Sequence, residues 1–237
     1  MLGIRFIAAA ALVMVCGSIL ADPADAPQAK ADPAVANLDW GKQTAELVTV
    51  LKLKGNPAEG RETYRHCRGC HRGEGAGLTD GTYPRLSGQH REVLLKQITD
   101  TRAGIRFNPK MEPFAARHAV SLQEIADIAS FLSEAFAGET NGQGDGALAV
   151  KGEKRYRQLG CVDCHGLRGE GNAAKFYPVV AGQHYQYLVA EMQHIQTGQR
   201  GNSHPDMVKS LRGVTSADMK ELASYMSQLP DHRTSSR

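Results

Sequence analysis

Two short stretches bring together residue types that could do chemistry: "CRGCH" at 67–71 and "CVDCH" at 161–165. Each sets two thiols three positions apart and follows the second at once with an imidazole. Such a set could form a disulfide or redox pair, ligate zinc, or attach a c-type haem. In an exported protein, four cysteines ordinarily suggest two disulfides. Zinc favours four ligands, often in well-separated pairs, and the adjacent Cys70 and His71 are awkward ligands for one tetrahedral ion. A thioredoxin-like redox pair belongs in a βαβ setting, and no convincing alternating strand pattern occurs. The C-x-x-C-H spacing is that of haem attachment, with both thiols joined to the haem vinyl groups as thioethers. One helical turn lays both sulfurs along one porphyrin edge while the histidine turns under its face. The repeated motif therefore points to two covalently attached haem c groups, one on Cys67 and Cys70, the other on Cys161 and Cys164. His71 and His165 are the expected iron ligands.

A sixth ligand must come from elsewhere. A thioether sulfur raises the iron potential and leaves no open position, which suits electron transfer. Met111 and Met207 are the only methionines that match between the two halves, in "NPKM" and "HPDM", 40 and 42 residues after the histidines. Met192, Met219 and Met226 sit at helical spacing and read as core filler. His204 is the rival to Met207, but its counterpart is Asn108, so a shared ligand scheme favours methionine. His90 and His184 do match, each after a Gly-Gln turn at a helix start, and read as capping or surface residues. His66, His118 and His194 have no counterparts and read as ordinary.

The elements that position these residues come in two copies. At an offset of 94, Cys67, Cys70 and His71 fall on Cys161, Cys164 and His165, Tyr83-Pro84 on Tyr177-Pro178, and Gly88-Gln89-His90 on Gly182-Gln183-His184. Gly60 and Tyr64 match Gly152 and Tyr156 at 92, while Pro109 and Met111 match Pro205 and Met207 at 96. Fixed landmarks with drifting offsets indicate duplication and divergence. In each copy a helix leads into the cysteine motif, a second follows Gly-Gln-His, and a third closes the unit. The closing helix of the first copy, "SLQEIADIASFLSEAF", opens with a Ser121/Glu124 capping box. Three helices in so few residues make a thin core, which a large apolar group would complete.

The N-terminus carries Arg5, the apolar run "FIAAAALVMV" and small residues up to Ala21, the pattern of a cleavable secretory signal. The apolar stretch is shorter than the roughly 20 residues a membrane span needs. Cys16 follows Val15 rather than a small residue, which speaks against a lipoprotein site. The chain thus divides into a signal peptide (1–21), an N-terminal extension with a short helix and the lone Trp40 (22–56), a first domain (57–137), a Gly-rich linker (138–147), a second domain (148–230) and a tail (231–237). The fold class is all-α, with two tandem small helical domains. A net charge of +3 over 237 residues, with eleven basic and eleven acidic residues in 57–140, argues against nucleic acid as a partner. Arg61, Arg65, Arg68 and Arg72 form either solvated helix surface or a basic rim that steers an acidic partner.

In combination these motifs resemble the class I cytochromes c, and in duplicate the dihaem cytochrome c4 family: C-x-x-C-H, "YPRLSGQ", "TRAGIRFNPKM" and "SLQEIADI", then C-x-x-C-H, "YPVVAGQ", "TGQRGNSHPDM" and "TSADMKEL". The resemblance spans roughly 57–230. It implies a haem wrapped by helices in each domain, with His71/Met111 and His165/Met207 as axial pairs. It also implies that the Pro84 and Pro178 carbonyls accept a hydrogen bond from the iron-bound imidazole. It further implies two haems facing across the domain interface and a non-catalytic electron carrier of the periplasm. Its partners would be redox proteins, such as a quinol-oxidising complex and a terminal oxidase or reductase, with peripheral association to a membrane complex. The alternatives are a dihaem subunit of a larger dehydrogenase or a dihaem peroxidase. The peroxidase is disfavoured because both halves offer a methionine. The extension 22–56 has no place in the minimal family pattern; packing on the first domain and docking a partner are its two readings.

Overall fold

The computed structural model describes residues 44–138 and 140–231. The expected signal peptide with Cys16, the stretch that includes Trp40, and the tail beyond Asp231 lie outside the described residues.

Local chemistry starts and stops each helix. Helix α1 (Ala45–Lys52) begins where the Thr44 side chain accepts from the Leu47 amide. Helix α2 (Pro57–Thr63) is capped by Asn56 and carries proline in its first turn, where no intrahelical donor is needed. A 3₁₀ turn at Tyr64–His66 then leads into the short α3 (Arg68–His71), which holds the cysteine motif. Helix α4 (Arg91–Arg102), the short α5 (Glu112–Ala115) and α6 (Leu122–Glu134) complete the first copy, with the Ser121/Glu124 capping box formed. In the second copy α7 (Gly146–Gln158) leads into α8 (Cys161–His165). Helices α9 (Tyr185–Gln196), α10 (Pro205–Ser210) and α11 (Ser216–Gln228) follow, and Thr215 with Asp218 forms a second capping box. Among the described residues the only strand-like pairing is one isolated bridge, Asn172 with Tyr177. No described helix is long and apolar enough to cross a membrane.

The same crossing builds both copies: α2 packs on α6, and α7 on α11. Backbones meet there because the contact residue is glycine. A Cβ on Gly60 would stand 2.0 Å from the Asp127 carbonyl oxygen, and one on Gly152 would stand 2.0 Å from that of Glu221. Beside each crossing lies a buried tyrosine. Tyr64 donates to the Arg72 carbonyl at 3.1 Å and packs on Phe131; Tyr156 donates to the Gly166 carbonyl at 2.9 Å and packs on Tyr225. These bonds tie the segment leading into each cysteine motif to the residue that follows its histidine. Each copy has its own apolar core, one around Leu95, Ile125 and Leu132, the other around Leu188, Met219 and Leu222. Met192, Met219 and Met226 are buried in the second core, where their helical spacing puts them. Leu47 and Val50 of α1 are buried in the first, so this part of the extension packs on the first domain.

The linker is packed against its neighbours. Asn141 donates to the carbonyls of Gln183 and Ser227, and the Gly144 amide donates to the Ser227 hydroxyl. A Cβ on Gly142 would lie 1.9 Å from the Thr79 carbonyl oxygen. Glycine serves close approach here rather than freedom. Helix α7 also starts at Gly146, two positions before the expected edge of the second domain.

Candidate functional site

Helices α3 and α8 set corresponding cysteines against the two cores. Cys67 packs on the first core and Cys161 on the second, while Cys70 and Cys164 are half-buried; the four form no disulfide. Burial pushes the Cys67 and Cys161 thiols up to about 11, so both are neutral at ordinary pH. Among the described residues no three His, Cys, Asp or Glu side chains converge as a metal site.

The histidines are held differently from the thiols. His71 Nδ1 lies 3.4 Å from the Pro84 carbonyl oxygen, and His165 Nδ1 lies 3.0 Å from that of Pro178. A carbonyl can only accept, so Nδ1 carries the proton in both rings and Nε2 presents its lone pair. Burial lowers the pKa of both imidazoles, against the opposing effect of the proline carbonyls, and so favours the neutral ligand form. The tyrosine before each proline packs on a histidine ring. The Tyr83 ring meets His71 edge-on at 5.8 Å, whereas its counterpart Tyr177 meets His204. Two sulfurs along one turn and one oriented imidazole in each copy are the donor set that a covalent haem requires.

Met111 and Met207 are both half-buried, in different local settings. Met111 precedes α5, with its amide on the Asn108 carbonyl at 3.0 Å; Met207 lies within α10 and packs against the second core. The rival His204 has a structural role. Its Nδ1 accepts from the Asp206 amide at 3.1 Å, capping α10, and its ring meets Tyr177 edge-on at 5.9 Å.

His90 and His184 require a correction. Neither side chain caps its helix, and His184 is 1% exposed. Each ring reaches into the other domain: His90 Nε2 donates to the Glu170 carbonyl and His184 Nε2 to the Ala76 carbonyl, both at 2.8 Å. The glutamines before them do the same. Gln183 accepts from the Arg85 amide at 2.9 Å and donates to the Arg85 carbonyl at 2.8 Å. Gln89 treats Val179 identically, at 2.9 and 3.0 Å. Ala76 and Glu170, like Arg85 and Val179, are equivalent positions at the offset of 94, so the interface has an approximate twofold axis. The available signal was the tripeptide Gly-Gln-His itself, retained in both copies.

A second set of interface residues escaped the sequence reading. Arg106 and Arg200 meet between the domains over Gln97 and Glu191. Arg106 reaches Gln97 at 2.7 Å, Glu191 at 3.4 Å and the Tyr187 hydroxyl at 3.1 Å; Arg200 reaches Glu191 at 2.5 Å and Gln97 at 3.2 Å. Asn202 donates across to Asp100 at 2.8 Å. Burial works to raise the Glu191 carboxyl, yet Arg200 and Arg106 hold it well below the ordinary carboxylate range. Each arginine also bears on its own domain's histidine, Arg106 on His71 and Arg200 on His165. The basic residues near the first motif are mostly solvated: Arg61 pairs with Glu74 at 2.7 Å and Arg65 with Glu62 at 3.1 Å, all well exposed.

Comparison with known proteins decides between the chemistries. The cytochrome c family model matches residues 57–135 and again 149–230. The chain belongs to the cytochrome c family. It is 30% identical to a thiosulfate dehydrogenase electron acceptor of Stutzerimonas stutzeri, over 78% of this chain and 93% of that one. It is 28% identical to cytochrome c4 of Azotobacter vinelandii, over 78% and 95%. The crystal structure of reduced cytochrome c4 from Pseudomonas stutzeri superposes with a TM-score of 0.67 at 28% identity, covering 74% of this chain and 99% of that one. The protein is therefore a cytochrome c4-like electron carrier, not an enzyme, with two covalently bound haem c groups in tandem domains.

Proposed function

We propose that this cytochrome is an exported, periplasmic carrier with His71/Met111 and His165/Met207 as axial pairs and thioethers on Cys67, Cys70, Cys161 and Cys164. The observation that carries the reading is the repeated Cys-His-Pro arrangement, in which both imidazoles are fixed in the tautomer that leaves Nε2 for iron. When bound, each haem supplies a one-electron Fe(III)/Fe(II) couple. The protein's share is to orient the imidazole through Pro84 or Pro178, to keep water away with the cores, and to hold the two domains in one register. A buried, doubly hydrogen-bonded frame lowers the reorganisation that accompanies each electron. Electrons would pass between redox proteins, such as a quinol-oxidising complex and a terminal oxidase or reductase.

A second reading has specific support. A relative that matches most of this chain is named as the electron acceptor of a thiosulfate dehydrogenase, which fits a dihaem subunit or dedicated partner of a dehydrogenase. A complex with such a dehydrogenase that survives high salt on size exclusion would support the subunit; a salt-sensitive encounter would support the free carrier. The carrier reading itself is tested by anaerobic titration of the holoprotein. Two electrons per chain, full reoxidation and no carbon monoxide binding by the reduced haems are expected. Carbon monoxide binding at either haem would show an open position and overturn the His/Met scheme.

A further inference from the structure

The interface glutamines and the proximal histidines share peptide groups. The Pro84 carbonyl accepts from His71 Nδ1, and the N–H of the same peptide unit, on Arg85, donates to Gln183 Oε1 of the second domain. The mirror path runs from His165 through the Pro178–Val179 peptide to Gln89 Oε1 of the first domain. Neither glutamine can turn its amide over. Its Nε2 must donate to the Arg85 or Val179 carbonyl, and its Oε1 also accepts from the amide of its own following histidine at 3.0 Å. A second peptide connection runs beside each first one. His184 Nε2 donates to the Ala76 carbonyl, whose peptide N–H, on Gly77, donates to the His71 backbone carbonyl at 2.9 Å. His90 reaches His165 through Glu170 and Gly171 in the same way. The Gly142 amide donates to His184 Nδ1 at 3.0 Å, so the ordered linker fixes which nitrogen of that ring carries the proton.

We propose that Gln183 and Gln89 are positioning residues that tune the haem of the opposite domain, each through one shared peptide group. The inference rests on the reading of His71 and His165 as iron ligands. A hydrogen bond accepted from a peptide N–H pushes electron density onto that peptide's carbonyl oxygen and strengthens the bond the carbonyl accepts. A stronger bond from Nδ1–H makes the imidazole a better donor to iron, which favours the ferric state and lowers the potential. Gln183 therefore acts on the first haem and Gln89 on the second. This crossing is what a merely structural role would not produce, because loosening the interface would move both haems together.

The test is the potential of each haem in the holoprotein, with haem signals assigned to their domains by proton NMR. It is made for the parent, Gln183→Leu, Gln183→Glu and Gln89→Leu. Gln183→Leu should raise the first haem's potential, and Gln89→Leu the second's, by a change of about threefold in the oxidation equilibrium, or about 28 mV for one electron. Gln183→Glu keeps an acceptor for the Arg85 amide, loses the donor to the Arg85 carbonyl and adds charge, so it should lower the first haem's potential more than the second's. It also serves if the leucine variant fails to fold. Equal shifts of both haems, a larger shift in the glutamine's own domain, or no shift would overturn the relay. The hyperfine-shifted imidazole Nδ1–H signals of the oxidised parent separate the two levels of the argument. Their absence in the parent would sink the ligand reading and the relay with it. Their presence, without a crosswise shift in the variants, would sink the relay alone.

Discussion

Replacing Gly152 with alanine tests the crossing that positions the second haem motif, because two effects of known sign oppose each other there. In an unconstrained helix interior, alanine is favoured over glycine by about 1 kcal/mol. In α7, however, the new Cβ would stand 2.0 Å from the Glu221 carbonyl oxygen, 2.7 Å from its carbon and 2.8 Å from Tyr225 Cβ. Two of the three neighbours are backbone, so no rotamer change relieves the clash. Restoring ordinary contact at 3.4 Å requires the helices to separate by roughly 1.4 Å. Overpacking of this kind costs about 1–3 kcal/mol or more, and separation also loosens the packing of Tyr156 against Tyr225. The clash wins. Because the opposing atoms are backbone, the cost falls in the upper part of that range and leaves a net loss of about 1–2 kcal/mol. Gly152→Ala should therefore lower the melting temperature of the holoprotein, followed by circular dichroism, by about 4–16 °C at 4–8 °C per kcal/mol for a domain of this size. Gly146→Ala is the internal control, since its nearest neighbour would be Gln228 Oε1 at 4.0 Å, and it should leave stability unchanged or slightly raised. A Gly152→Ala protein as stable as the Gly146→Ala protein would refute the argument that backbone contact at this crossing selects glycine.

Further outcomes follow from the same geometry. Tyr156→Phe removes the donor to the Gly166 carbonyl and should destabilise the second domain by about 1–2 kcal/mol in chemical denaturation, leaving the first domain's transition in place. Glu191 has its folded pKa depressed by Arg200 and Arg106, so its contribution is complete above the ordinary carboxylate range and is lost as pH falls through that range and below. Thermal stability should therefore decline on acidification from neutral pH, and the decline should be smaller in Glu191→Gln. Cys164→Ser should leave the second haem joined by one thioether; its remaining vinyl group should move the pyridine haemochrome band of half the haem to longer wavelength, whereas an unchanged band would place that attachment elsewhere.

Much of the architecture is written in local pattern. The cysteine motifs, the capping box at Ser121, the methionines of the second core and the matched halves are short-range signals that burial leaves unchanged. The interface was less legible, because its hydrogen bonds join residues about 80 to 108 positions apart. His90 and His184 stand at helix starts, where a polar side chain usually means a cap, and only the pairing of two domains turns their rings outward to a foreign carbonyl. Arg106 and Arg200 match at an offset of 94, but lie just before the point where the offset becomes 96, so aligning on the methionines hides their equivalence. Composition alone does not say what the linker glycines are for. Glycine reports permissive sterics, and in "GETNGQGDGA" those sterics serve tight packing on Thr79 and Ser224.

The measurement that bears most directly on the central claim is the near-infrared sulfur-to-iron charge-transfer band of the fully oxidised protein, quantified against total haem. Two methionine-ligated haems per chain should give its full intensity, and Met207→Ala should remove half of it while leaving both haems covalently attached. An intensity matching one haem or none in the parent would contradict the symmetric His/Met scheme on which the carrier reading stands.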